Sequence, residues 1–177
     1  MARNAGSVNR KAEIVSAAIE AFAENGYYKT TTAQVAQCAE ISQPYIFRFF
    51  PTKEALLLAV LEVSWTRIIE YLDIVTKSAS ASDLERGLIT AYEEILASHR
   101  NEILLQMQAQ TIREESIQES MRDGFKQVRQ VVLHAFRNAN IGNPEERTYL
   151  FLARGMLCNI AEAIQLPELK QFGGDVG

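Results

Sequence analysis

The stretch Thr31-Thr32-Ala33-Gln34-Val35-Ala36-Gln37-Cys38-Ala39-Glu40-Ile41-Ser42-Gln43-Pro44-Tyr45-Ile46-Phe47-Arg48-Phe49-Phe50-Pro51-Thr52-Lys53 decides the fold. Thr31 and Gln34 have capping-box spacing, in which a hydroxyl covers the third amide of a helix and the Gln side chain reaches back to the cap. Val35, Ala36 and Ala39 then face inward, and their small size lets another helix cross closely. This helix ends near Glu40-Ile41. A second starts at Ser42, a good N-cap residue, with Pro44 in its first turn, where a missing N–H costs nothing. Ile46, Phe49 and Phe50 supply its buried side and Pro51 ends it. Thr52 caps the next helix, with Glu54 favourably placed at its positive end.

Two short helices joined by a tight turn, the second polar on its outer face, have helix-turn-helix geometry. That arrangement lays the second helix in the major groove and offers its first residues to base edges. Here those residues are Gln43, Pro44 and Tyr45, with Arg48 about one turn on. Gln pairs bidentately with adenine, and Arg with guanine or a phosphate. Pro44 and Tyr45 suit thymine methyls. Thr31 and Thr32 are placed to bond phosphates, as is Lys53 beside the positive end of its helix. Spacing alone leaves a plainer reading open, because a lone Gln or Arg on a short capped helix is often just solvated.

Outward from this stretch the chain reads as helix throughout, an all-α fold with no convincing strand pattern. Ile14, Ala18, Ala21 and Phe22 form one apolar stripe over a first helix from Asn9 to Asn25. Gly26 follows as a C′ residue that tolerates a left-handed conformation. Residues 1–8 are polar or small and expected to be mobile. The helix after Thr52 carries Leu56, Val60, Val63, Ile68 and Leu72 and ends near Lys77. Ser78 to Ser82 is a small-residue linker, and Ser82 with Glu85 has capping-box spacing again. Leu84, Leu88, Tyr92 and Ile95 mark a fifth helix. A break near Ser98 to Asn101 precedes Ile103, Leu104 and Met107. A long helix from Arg113 to Asn138 bears Ile117, Met121, Phe125, Val128 and Val132. Gly142-Asn143-Pro144 stops one helix and starts the next, with Asn143 as cap and Pro144 at N1. The final helix holds Leu150, Phe151, Met156, Leu157, Ile160 and Ile164, and the chain from Gly173 onward is expected to be disordered.

Composition narrows the function. The chain has 177 residues, 47% hydrophobic and 23% charged, ordinary for a globular protein. No apolar run reaches membrane-spanning length and no leader pattern opens the chain, so a cytoplasmic protein without a membrane partner is expected. Cys38 and Cys158 lie far apart, outside any CxxC pattern, and read as free thiols with neither disulfide nor zinc site. Residues 1–53 hold six Lys or Arg against four Glu, a balance of +2. The remainder holds twelve basic and eighteen acidic residues, a balance of −6, so DNA contact is favoured at the N-terminal end. His99 and His134 sit beside no nucleophile and in no HExxH pattern, and no phosphate-binding loop, dinucleotide turn or metal-ligand cluster is visible. No catalytic residue, metal or cofactor is expected, and the chain does not read as an enzyme.

The run from Gly26 through Ala36, continuing from Ile41 through Leu56, resembles the DNA-binding head of the TetR family, and the likeness covers roughly residues 9–60. That head typically reads glycine, an aromatic residue, a Thr/Ser-rich cap, Ile-Ala, a turn, Ser, a recognition helix ending in Tyr-x-Phe, then Ser-Lys-Glu-x-Leu. The resemblance implies a three-helix DNA-binding head over residues 1–53 and a larger helical bundle over 54–177 for ligand binding and dimerisation. It implies that Thr31, Thr32, Gln43, Tyr45, Phe47, Arg48 and Lys53 face double-stranded operator DNA. Partners would be a palindromic operator, a second copy of the chain, and a small apolar or amphipathic effector that releases the repressor. The last two long helices would pair with their mates in a four-helix bundle, although the final helix also reads as the buried centre of a monomer. Trp65, Tyr92, Met107 and Phe125 could line the effector pocket or simply pack the core. Asn159 and Glu162 on the last helix read as pocket groups or as exposed residues.

Three departures from the family pattern stand out. Glu40 occupies the turn position where Gly is usual, at a backbone cost on the order of 1 kcal/mol. Pro44 replaces a common Gly and stiffens the helix start. Phe47 and Phe49 replace two frequent Tyr residues, so Phe47 offers only an apolar contact and Arg48 and Lys53 carry more of the backbone binding. A helical ligand-binding or adaptor protein with weakened DNA binding is the alternative that these departures keep open.

Overall fold

The computed structural model describes the backbone of residues 2–170, with side chains from Asn9 onward. Among the described residues the chain is all-α: α1 Ala2–Asn25, α2 Thr32–Cys38, α3 Gln43–Ile46, α4 Lys53–Ser78, α5 Leu84–Ser98, α6 Arg100–Ala109, α7 Glu115–Asn138 and α8 Pro144–Ala163, closed by a 3-10 turn, Pro167–Lys170. The start of α1 at Ala2 corrects the expected start at Asn9. No proline interrupts the earlier residues, so the helical hydrogen-bond ladder continues back through them. The expectation of disorder from Gly173 onward lies outside the described residues.

The chain packs as two compact units. One holds the chain up to Ser64 together with Leu104–Arg122, and the other holds Trp65–Ile103 and the chain from Asp123 onward.

In the first unit Ile14, Ala18, Ala21 and Phe22 of α1 are buried, as are Val35 and Ala36 of α2, Ile46 of α3 and Leu56, Leu57, Val60 and Leu61 of α4. The α1 and α4 sets recur at helical spacing, so burial of one face holds each of these helices in place. Leu105 and Ala109 of α6, Ile112 of the following connection, and Ile117 and Met121 of α7 complete this core. Gly26 ends α1 at φ +78°, and its N–H bonds the Phe22 carbonyl at 2.8 Å. Thr30, fully buried, donates its hydroxyl to the carbonyls of Ala21 (3.1 Å) and Gly26 (2.8 Å), which fastens the following loop to α1.

The second unit buries Trp65, Ile68 and Leu72 of α4, Leu84, Leu88 and Ile95 of α5, Val128, Val132 and Phe136 of α7, and Phe151, Cys158 and Ala161 of α8. Gly124 of α7 permits a close approach: a Cβ there would lie 2.1 Å from the Trp65 indole. Helix α8 also leaves a second apolar face uncovered, with Tyr149, Leu150, Leu157, Ile160 and Ile164 exposed by 40–71%.

Three expected caps are not formed as read. At α3, Ser42 has the extended cap backbone but makes no side-chain bond. The second helical position is Pro44, which has no N–H, and the N–H of Tyr45 bonds the Ser42 carbonyl at 2.9 Å. The Ser82–Glu85 box is also absent. Residues 80–83 form their own turn, Asp83 N–H to Ser80 carbonyl at 3.0 Å, so α5 starts at Leu84 and Glu85 pairs with Arg147. Asn143 precedes Pro144 as expected but sits at φ 53°, ψ 52°, outside the extended geometry that aims a capping side chain at the helix.

Candidate nucleic-acid interface

The Thr31–Gln34 box closes on both sides. The Gln34 N–H donates to Thr31 Oγ1 at 3.2 Å and the Thr31 N–H to Gln34 Oε1 at 2.8 Å. The Thr31 hydroxyl also donates to Gln34 Oε1, at 3.1 Å, so its single hydrogen is spent within the cap. Helix α2 is thereby started one residue before Thr32, whose side chain turns toward α3. There Gln43 Nε2 donates to Thr32 Oγ1 at 2.8 Å.

Between α2 and α3 the turn passes through Glu40 at φ 53°. The Ile41 N–H reaches back to the Ala36 carbonyl at 3.0 Å, the bond that a left-handed residue makes possible after a helix. Helix α3 is one turn long. Ile46 is its buried anchor, while Gln43, Pro44, Phe47 and Arg48 are exposed and Tyr45 is half-buried. Tyr45 packs edge-on against Phe49, ring centroids 5.4 Å apart, and the Arg48 guanidinium lies 5.4 Å from the Tyr45 ring centre. Among the described residues neither Arg48 nor Lys29 makes an ion pair, whereas Arg10 pairs with Glu13 at 2.5 Å.

Lys53 is occupied differently. Its Nζ donates to the carbonyls of Tyr27 (2.9 Å), Thr30 (3.1 Å) and Tyr28 (3.3 Å) and sits 4.5 Å from the Tyr27 ring centre. An ammonium has three hydrogens, so the loop before α2 uses all of them. Burial pushes the Tyr27 hydroxyl above its ordinary range, with Glu114 and Glu54 adding to the shift. Glu54, next in sequence, accepts a hydrogen bond from Ser116 of α7. Tyr28, 66% exposed, and Lys29, also exposed, flank this clamped loop. Sequence reasoning passed over both. Both lie between the Gly26 stop and the Thr31 cap, on the approach to α2.

The four residues read as pocket candidates have these surroundings. Trp65 and Phe125 pack edge to face at 5.2 Å. Tyr92 packs on Phe151 at 6.3 Å and donates to Asn159 Oδ1 at 2.9 Å, and burial pushes its hydroxyl up to about 12. Met107 is half-buried in the other compact unit. Trp65 Nε1 is buried without an acceptor among the described residues. Of the two polar groups on the last helix, Asn159 is buried against Tyr92, and Glu162 accepts from Arg100 at 2.6 Å and Lys170 at 2.9 Å. Those two partners hold the Glu162 carboxyl below its usual range, Lys170 first.

Residues 14–60 match the bacterial regulatory proteins of the tetR family. Over 98 residues the chain is 34% identical to YuxN, an uncharacterised helix-turn-helix regulator of Bacillus subtilis, a match that covers 53% of this chain and 33% of that one. Over 135 residues it is 30% identical to the transcriptional repressor KstR2 of Mycobacterium tuberculosis, covering 74% of this chain and 67% of that one. The chain belongs to the TetR family.

Among solved structures this TetR-family chain shares its fold with AibR, seen in complex with isovaleryl coenzyme A and operator DNA, at TM-score 0.70 and 18% identity over 94% of this chain and 89% of that one. The chain spans less than half the length of the first curated relatives it matches. No described helix is long and apolar enough to cross a membrane, and the described residues contain no group of three or more His, Cys, Asp or Glu fit to hold a metal.

Proposed function

We propose that this TetR-family chain is a ligand-responsive transcriptional repressor that binds a palindromic operator as a homodimer and catalyses no reaction. The observation that carries this reading is the exposed face of α3. Gln43, Pro44, Phe47 and Arg48 are exposed around a turn anchored in the core by Ile46 and, just beyond it, Phe50. Thr31, Thr32, Tyr45 and Lys53 border that face, and in this reading Thr32 and Arg48 supply backbone contacts while Gln43 reads a base. Lys53 acts chiefly through the loop it clamps. Residues 1–53 form the reading head and 54–177 the sensing and pairing part, and the protein works in the cytoplasm, where its DNA lies.

A two-fold operator needs a two-fold reader, with half-sites roughly 34–36 Å apart. The uncovered face of α8 supports pairing there, because Leu150, Leu157, Ile160 and Ile164 recur at seven-, three- and four-residue spacing and would otherwise stay in water. The effector is a small amphipathic molecule. Trp65 supports a site near α4 and α7, since its buried indole N–H lacks an acceptor, and AibR makes acyl-coenzyme A thioesters the first class to try. A ligand that prefers the DNA-incompetent state by a few kcal/mol suffices to release the operator.

The test is fluorescence anisotropy on labelled duplex from upstream of the gene, against scrambled duplex at fixed salt. Sequence-selective binding that weakens in Arg48→Ala and is lost in Ile160→Arg, with the latter sedimenting as a monomer, is the expected result. Equal binding to scrambled DNA across several flanking regions would favour the adaptor reading instead.

A further inference from the structure

The contact between Thr32 and Gln43 has a consequence for base selection. A glutamine amide turns about its last torsion with a roughly two-fold preference, so a free one presents its oxygen and nitrogen in either order. With the oxygen and one N–H outward it matches adenine, which offers an acceptor at N7 and a donor at N6. With the NH2 turned outward it offers two donors, which suit the N7 and O6 acceptors of guanine. In this structure Gln43 Nε2 donates to Thr32 Oγ1 at 2.8 Å. The amide oxygen and the second N–H make no other bond among the described residues.

A hydroxyl can both give and take, so Thr32 alone does not lock the amide: its own hydrogen could instead serve a flipped Gln43 oxygen. A hydroxyl has only one hydrogen, however. If a phosphate takes it, Thr32 is left as an acceptor only, and Gln43 must present nitrogen to Thr32 and oxygen to the groove. The neighbouring Thr31 cannot play this part, because its hydrogen goes to Gln34 Oε1 at 3.1 Å. Thr32 has no such partner among the described residues, and its side chain is half-exposed.

We propose that Thr32 is a specificity-determining positioning residue: by donating to a DNA phosphate and accepting from Gln43, it holds the Gln43 amide in the orientation that selects adenine over guanine. This rests on the reading that α3 faces DNA. It ties register to base readout, since the amide is fixed only when the backbone is docked.

The experiment selects duplexes from a random-sequence pool with the intact dimer, then measures affinity with all four bases at each half-site position for the parent, Thr32→Val, Thr32→Ser and Gln43→Ala. The parent is expected to favour adenine over guanine by roughly tenfold or more at one position per half-site. Thr32→Val keeps the shape but neither accepts nor donates. It should narrow that ratio to within about threefold, leave the other positions unchanged and lower the salt slope by about one phosphate per head. Thr32→Ser should restore both. In Gln43→Ala the further change Thr32→Val should no longer alter the base ratio. A Thr32→Val protein that keeps the parent adenine preference, or loses preference evenly at all positions, overturns the proposal while leaving Gln43 as the reader. If Gln43→Ala changes no base preference, or the pool yields no preferred sequence, the DNA-facing reading of α3 itself falls.

Discussion

The head and the region joining the end of α4 with α5, α7 and α8 keep their side chains in place by opposite means. In the head, polar groups hold backbone: Lys53 spans three carbonyls, Thr30 two, and Thr31 with Gln34 closes a box. The reading residues are thereby left exposed yet placed. In the other region apolar rings hold each other, and glycine makes the room: Trp65 lies on Gly124, and the Tyr92 ring comes within 3.4 Å of where a Cβ on Gly155 would stand. The difference follows from what each region leaves open to solvent. On the proposed function the α3 face meets DNA, and a surface kept open in that way cannot be fixed by burial, so hydrogen bonds from behind fix it. A helical core has no such limit, and packing suffices.

Four substitutions press on this contrast. Gly124→Ala carries the largest expected effect. Alanine favours a helix interior by up to about 1 kcal/mol over glycine, yet here its methyl would meet the indole at 2.1 Å. A net loss of about 3 kcal/mol in urea unfolding is expected, and a gain would show that the indole yields freely.

Next is Tyr92, whose hydroxyl is raised to about 12 from 10 by burial. A group raised in the folded state gives its full stability below pH 10 and loses it as pH climbs from 10 to 12, where only the unfolded chain ionises. The parent should lose roughly 2 to 3 kcal/mol over that window relative to Tyr92→Phe. Parallel alkaline melting curves for the two proteins would remove Tyr92 from the buried side of the comparison.

For the head, Lys53→Met should cost about 2 kcal/mol through three charge-assisted bonds at a half-buried site, and should speed hydrogen exchange in the Gly26–Thr31 loop. The salt slope of operator binding separates the two roles open to this residue. A clamp leaves the slope unchanged, whereas a phosphate contact lowers it by about one per head. The smallest change is Glu40→Gly, which relieves the residue at φ 53°. A gain of about 1 kcal/mol or less is expected, reduced by the freedom that glycine adds to the unfolded chain. Calorimetry reads it directly, and a loss would mean that the Glu40 side chain makes a contact worth more than the strain.

Much of the head was legible because its signals are local. The Thr31–Gln34 box and the left-handed Gly26 depend on residues within four positions of one another, and both stand as read. Ser42, Ser82 and Asn143 show where local reading fails. A cap needs a free N–H and an extended backbone together, and Pro44, the 80–83 turn and a left-handed φ each removed one of these.

By itself the sequence determined the all-α class, the helix order and the helix-turn-helix head, because helical periodicity and caps are written over short spans. Tertiary structure decided what Lys53 holds, which way Thr32 turns, why position 124 is glycine, and that Tyr92 stands with Asn159 while Trp65 stands with Phe125. Lys53 and Tyr27 lie 26 residues apart, and Tyr92 and Asn159 lie 67 apart. No local rule reaches across such distances. Only the packed helices bring those groups within bonding range.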